Sequence, residues 1–257
     1  MSSSLHITYA DDVEATSARL EDALSQDEPL VELLLCRSLI DASMLAKVLN
    51  RYALTLRTFH MEEIALVDAD TECVDQVYET VLEALANATK IEELVILVAR
   101  DANYRVARAD MLVNAMSCMP RLTHVHFCRV FTSEIALNAA IDALDAIKVL
   151  ILHYEDEGSV ETLDMLTMLV EASFKSLTSI EVAGCPNVFK NEEASVHFCD
   201  ALLKCDALEY ISIIENNLDT SVANAMRNIL QESKARRVNI ETSELPVRES
   251  NDSVDSC

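Results

Sequence analysis

One short pattern constrains this chain more than any other feature. It is L-x-x-L-x-L, with any aliphatic residue or Phe at the L positions. It appears at Leu30, Leu33 and Leu35, then at Leu56, Phe59 and Met61, then at Ile91, Leu94 and Ile96. It continues at Leu122, Val125 and Phe127, at Ile147, Leu150 and Leu152, at Leu177, Ile180 and Val182, and at Leu208, Ile211 and Ile213. A weaker copy closes the series at Ala235, Val238 and Ile240, and another opens it with Ser2, Leu5 and Ile7. From Leu30 onward the starts lie 26, 35, 31, 25, 30, 31 and 27 residues apart, a mean of about 29. Self-similarity at such a period marks stacked supersecondary units.

Each copy is followed by apolar residues at i, i+3, i+4 and i+7, the spacing of an amphipathic helix. The spacing predicts helices over 14–24, 43–52, 73–88, 106–116, 133–146, 160–174, 192–203 and 220–230. Thr132-Ser133-Glu134 and Asp219-Thr220-Ser221 supply capping residues for two of them. One strand and one helix cannot bury their apolar sides alone, so the units must stack to share a core. The expected fold is therefore an α/β solenoid of about eight or nine units over residues 1–242. A parallel sheet lines the concave side and helices lie on the convex side. Residues 243–257 are polar, contain Pro246 and lack periodicity. They are expected to form a disordered tail.

The stretch Leu208-Glu-Tyr-Ile211-Ser-Ile213-Ile-Glu-Asn216-Asn-Leu218 fits L-x-x-L-x-L-x-x-N/C-x-L throughout, and Cys185 fills the N/C position of the preceding copy. In this the chain resembles the leucine-rich repeat family, in its ribonuclease-inhibitor-like subclass. The resemblance implies a curved horseshoe in which the N/C residue bonds backbone groups in the turn after each strand. Elsewhere that position holds Ser38, Ile64, Ala99, Val130 and Glu155. Most units are then expected to satisfy those groups in another way.

Composition removes several functions. There are two glycines, Gly158 and Gly184. A Walker loop or a dinucleotide fingerprint needs several closely spaced glycines. A solenoid of strands and helices with longer polar connections is expected to need few left-handed turns, and Gly184, just before Cys185, falls in the turn after a strand. The formal net charge of −24 disfavours nucleic acid and anionic membranes. No apolar run is long enough to span a bilayer, and the N-terminus lacks the basic and apolar regions of a signal peptide. The eight cysteines are read as reduced thiols without a C-x-x-C pair, buried or half-buried apart from Cys257 on the tail. A cytoplasmic or nuclear protein is expected.

Counting the first L as slot 1, alternation turns slots 4 and 6 to the core and slots 3, 5 and 7 to the concave face. Five of the six histidines fall in these outward slots. On a strand, a half-exposed histidine is the ordinary reading, and a proton-sensitive or partner-binding face is the sharper one. His124, His126 and His153 approach one another across strands but fall short of a zinc signature. Leu34, Val95, Leu97, Val149 and Ile151 share the face as exposed apolar residues, the pattern of a binding patch. The candidate partner-binding residues are Leu34, His60, Val95, His124, His126, Ile151, His153, Glu181, Tyr210 and Arg237.

Charge is uneven along the chain. Residues 61–93 hold ten acids against Lys90 alone. Residues 100–129 hold Arg100, Arg105, Arg108, Arg121 and Arg129 against Asp101 and Asp110. The acids suit steering of a basic partner, and the arginines suit docking of an acidic segment or an anion. The expected function is a non-catalytic scaffold for protein–protein interaction, with no cofactor and no metal. One alternative is a GTPase-activating repeat protein using Arg100, Arg129 and the loop acids. Another is the substrate adaptor of a ubiquitin ligase, although repeats that begin this early leave no room for an N-terminal F-box.

Overall fold

The computed structural model describes residues 3–68, 73–98, 109–130, 146–153 and 160–242. Residues 133–145 of the helix expected over 133–146, its Thr132-Ser133-Glu134 cap, the first three residues of the helix expected over 106–116, and the tail 243–257 lie outside the described residues. Strands and helices alternate as the pattern requires. In order they are β1 (Ser3–Thr8), α1 (Val13–Ser25), β2 (Leu30–Cys36), β3 (Leu39–Asp41), α2 (Ala42–Arg51), β4 (Thr58–Glu62), β5 (Ala65–Val67) and α3 (Val74–Ala86). Then come β6 (Glu93–Leu97), α4 (Ala109–Ser117), β7 (His124–Cys128), β8 (Val149–His153), α5 (Val160–Ala172), β9 (Ser179–Ala183), α6 (Glu192–Leu203), β10 (Tyr210–Ile214), α7 (Thr220–Leu230) and β11 (Arg237–Ile240).

Nine strands form one parallel sheet in the order β1-β2-β4-β6-β7-β8-β9-β10-β11. This α/β architecture is compatible with a repeat solenoid. Equivalent pattern positions pair directly: Leu33 with Phe59, Phe59 with Leu94, Leu94 with Val125, and so on to Val238. From Leu33 to Ile211 this row is at most 2% exposed. Each such side chain contributes about 1.5–3 kcal/mol by leaving water. The inward strand residues share one cluster with helix residues such as Leu45, Val81, Leu112, Leu166, Phe198 and Met226. The helices therefore cover one face of the sheet. Val238, in the edge strand β11, is 38% exposed in the same slot.

A two-stranded parallel sheet, β3 with β5, was not foreseen. It begins after a two-residue gap from the ends of β2 and β4, where the backbone of neighbouring turns stays parallel. Its last residue, Asp41, accepts a bond from the Met44 N–H at 2.7 Å and so starts α2. Asp12 caps α1 and Asn191 caps α6 in the same way. Asp219 holds the N-cap position of α7, but its side chain makes no capping bond.

The expectation of few left-handed turns is overturned. The residue after the strand has positive φ at Tyr9 (53°), Arg37 (45°), Glu63 (51°), Arg129 (58°), Gly184 (67°) and Glu215 (57°). The reason is geometric: a left-handed residue turns the chain out of the extended strand into the connection that follows, whatever side chain it carries. Its N–H reaches the last carbonyl of the next strand: Tyr9 to Cys36 at 3.1 Å, Arg37 to Glu62 at 2.8 Å, Arg129 to His153 at 3.2 Å and Gly184 to Ile214 at 3.1 Å. Five non-glycine side chains thus tolerate a conformation that costs about 1–2 kcal/mol each. Where glycine is present it relieves that cost. Gly184→Ala is expected to lose about 1 kcal/mol, or about 2–4 °C of melting temperature for a chain of this size. Calorimetry checks this, and an unchanged midpoint would remove the argument.

Candidate functional site

The sheet face opposite the helices is built by the outward slots, and the strand burial patterns alternate accordingly, as iBiBi does in β4 and β8. All ten candidate residues lie on strands of the main sheet. Leu34, His60, His126, Ile151, His153, Glu181 and Tyr210 are half-buried, and His124 and Arg237 are exposed. Val95 departs from expectation: it is only 6% exposed. It sits in register between His60 and His126, so larger neighbours flank it on both sides.

Four side chains on four successive strands form one hydrogen-bonded chain. His126 Nε2 lies 3.3 Å from His153 Nδ1, with the two rings edge to face at 4.7 Å between centroids. His153 Nε2 lies 2.7 Å from Glu181 Oε1. The Tyr210 hydroxyl donates to Glu181 Oε2 at 3.3 Å. The carboxylate orders the protons. An ionised carboxylate only accepts, so His153 Nε2 carries the hydrogen in that contact. A doubly protonated pair would set two donors against each other. Burial, then the neighbouring His153, depress His126 to a pKa of about 4, with Glu181 opposing and His60 adding to the effect.

A second cluster surrounds His60. Its Nε2 is 3.0 Å from Glu93 Oε1 and its Nδ1 is 3.7 Å from Glu62 Oε1. His6 stands 4.0 Å from Glu32, which also accepts from the Ser4 hydroxyl at 2.7 Å. Of the three histidines expected to converge, the structure joins His126 and His153. His124 instead bonds Thr123 Oγ1 at 2.9 Å. Among the described residues, no group of three or more His, Cys, Asp or Glu is arranged to hold a metal ion.

Ser212 was missed as a functional candidate. It is 1% exposed, and its hydroxyl has no hydrogen-bond partner among the described residues. It lies in register between Glu181 and Asn239 on the same face. The signal available in the sequence was its slot-5 position.

The arginine group is partly resolved. Arg100, Arg105 and Arg108 lie outside the described residues. Arg129 directs its guanidinium to the Val98 carbonyl at 3.4 Å, a bond that braces the turn. Arg121 stands 3.9 Å from Glu92, which also pairs with Arg57 at 3.1 Å. The cysteines also differ from expectation. Cys73 and Cys118 are exposed, whereas Cys185, Cys199 and Cys205 are buried. Burial pushes Cys199 up to about 12 and Cys205 up to about 11. Those two thiols stay protonated and unreactive at neutral pH.

Among the described residues, no helix is long and apolar enough to cross a membrane. No protein-family model matches the chain, and no curated protein matches it.

Proposed function

We propose that the chain is a leucine-rich repeat solenoid of about eight or nine units, curved with the main sheet inside, that acts as a non-catalytic scaffold for a protein partner. The observation that carries this reading is the outward sheet face. Nine strands present half-buried aliphatics beside ordered polar side chains, and the described helices cover the opposite face. A surface held by a continuous backbone ladder loses little freedom on binding, so more of the contact energy appears as affinity. Leu34, Ile151 and Tyr210 are the expected anchors, since apolar and aromatic side chains dominate interfaces. His60, His126, His153 and Glu181 surround them with fixed donors and acceptors. Val95 lies on this face between His60 and His126 and is covered by its neighbours. The large negative charge favours a basic partner.

Affinity capture with quantitative mass spectrometry tests the reading. Leu34→Asp and Ile151→Asp place a charge on half-buried outward positions. Each is expected to reduce recovery of a genuine partner about tenfold, the effect of roughly 1.4 kcal/mol. Circular dichroism would confirm that the fold is kept. An identical set of captured proteins at identical yield would rule out this face.

A further inference from the structure

A second surface lies where strands β2, β4, β6 and β7 begin. There, Pro29, Val31, Leu54, Thr55, Arg57, Lys90 and Arg121 line a groove of about 260 Å³. Three of these are cations, in a chain whose net charge is −24. The only acid bound to them by a described ion pair is Glu92, which stands 3.1 Å from Arg57 and 3.9 Å from Arg121. Among the lining residues and their ion-pair partner, three cations stand against one acid. Both guanidinium side chains are more than half exposed, at 54% and 52%. At physiological salt, charge beyond about 8 Å is largely screened, so a ligand in the groove meets these cations rather than the distant acids.

The apolar side of the groove is equally unusual. Leu54 is 75% exposed, the largest exposure among the large described hydrophobics. Its turn is rigidly held. The Thr55 hydroxyl donates to the Leu30 carbonyl at 2.8 Å, and the Arg57 N–H donates to the Val31 carbonyl at 2.8 Å. The Arg57 carbonyl in turn accepts from the N–H groups of Glu92 and Glu93. Cations and apolar wall are thus mounted on pre-ordered backbone, which lowers the cost of binding.

We propose that this groove binds an acidic linear segment of a partner protein, an Asp or Glu carboxylate held among Arg57, Lys90 and Arg121 while an adjoining apolar side chain packs on Leu54, Pro29 and Val31. Guanidinium groups favour carboxylates through charge-assisted, often paired hydrogen bonds. Such a ligand displaces Glu92 from one arginine and keeps the charge count balanced. The site is separate from the outward face, so it stands or falls independently of the scaffold reading.

The test is an array of immobilised heptapeptides, each with one Leu among Asp and Glu, beside a matching set with Asn and Gln. The parent protein is expected to be retained on the acidic set and not on the amide set. Arg57→Gln with Arg121→Gln is expected to lower retention at least about tenfold. Leu54→Ser, at a position too exposed to affect folding, is expected to lower it several-fold. Lys175→Gln, a cation outside the groove, is expected to change nothing. Absence of retention, equal retention on amide peptides, or equal retention by the Arg and Leu variants would each overturn the proposal.

Discussion

Acidification from pH 6.5 to pH 4 is expected to destabilise this protein through His126, by about 2 kcal/mol once solvent screening of the half-buried ring is allowed for. The sign follows from the direction of the shift. In the unfolded chain the ring takes up a proton near pH 6.5, whereas in the fold it resists until about pH 4. Between those values the unfolded state binds more protons than the folded one. The contribution is therefore complete above pH 6.5, fades as pH falls, and is gone below pH 4. The cause is physical crowding: a ring packed on a strand against a second ring that already serves Glu181. Carboxylates titrate in the same range, so the comparison must be with His126→Gln. Gln keeps a donor toward His153 and cannot take a charge. Urea unfolding of both proteins at pH 7.5 and pH 4.5 provides the measurement. If the two lose the same stability on acidification, His126 is not the proton-sensitive element.

Asn216→Ala is expected to cost about 3 kcal/mol or slightly more, since each backbone group left unsatisfied in the interior costs about 1–3 kcal/mol. Asn216 is 1% exposed. Its Oδ1 accepts the Cys185 N–H at 2.7 Å, and its Nδ2 donates to the Val182 carbonyl at 2.8 Å. Alanine abandons both. A fall of about 6–12 °C in melting temperature should follow. Ser38→Ala offers an internal scale. Ser38 Oγ accepts the Ala10 N–H at 3.2 Å and donates to the Cys36 carbonyl at 2.8 Å, so it occupies the same place with a shorter side chain. Its loss should be smaller, near 1–2 kcal/mol. Should Asn216→Ala melt within a degree of the parent, the pair of bonds is not a structural clamp.

Ser38 also shows where sequence reading succeeds and where it stops. The strands were legible because a period of two in side-chain direction forces Leu33, Phe59, Leu94 and their successors to one side. Stacking followed from the regular spacing. Ser38 is legible at the position of Asn216, but its bonding there is not, because that depends on a hydroxyl reaching the neighbouring turn. Left-handed turns at Arg37 or Glu215 leave no compositional trace when the residue is not glycine. The outward histidines were placed on the correct strands, yet which of them meet depends on rotamers. His126 and His153 turn toward each other, and His124 turns to its own neighbour. Val95 was placed correctly and still judged too exposed, because flanking residues set its burial. The groove is not legible in the sequence, because Leu54, Lys90 and Arg121 come from three separate connections.

The left-handed turns after the strands have one more effect. Glycine there would relax the backbone but display nothing. Because these positions carry side chains, adjacent turns can grip one another. The Arg37 guanidinium lies 5.8 Å from the centre of the Tyr9 ring and bonds Glu63 at 2.6 Å. Three consecutive turns are thereby tied along the rim of the sheet. A substitution at one of them alters the support of the next, so tolerated changes along this rim should come in neighbouring pairs rather than singly.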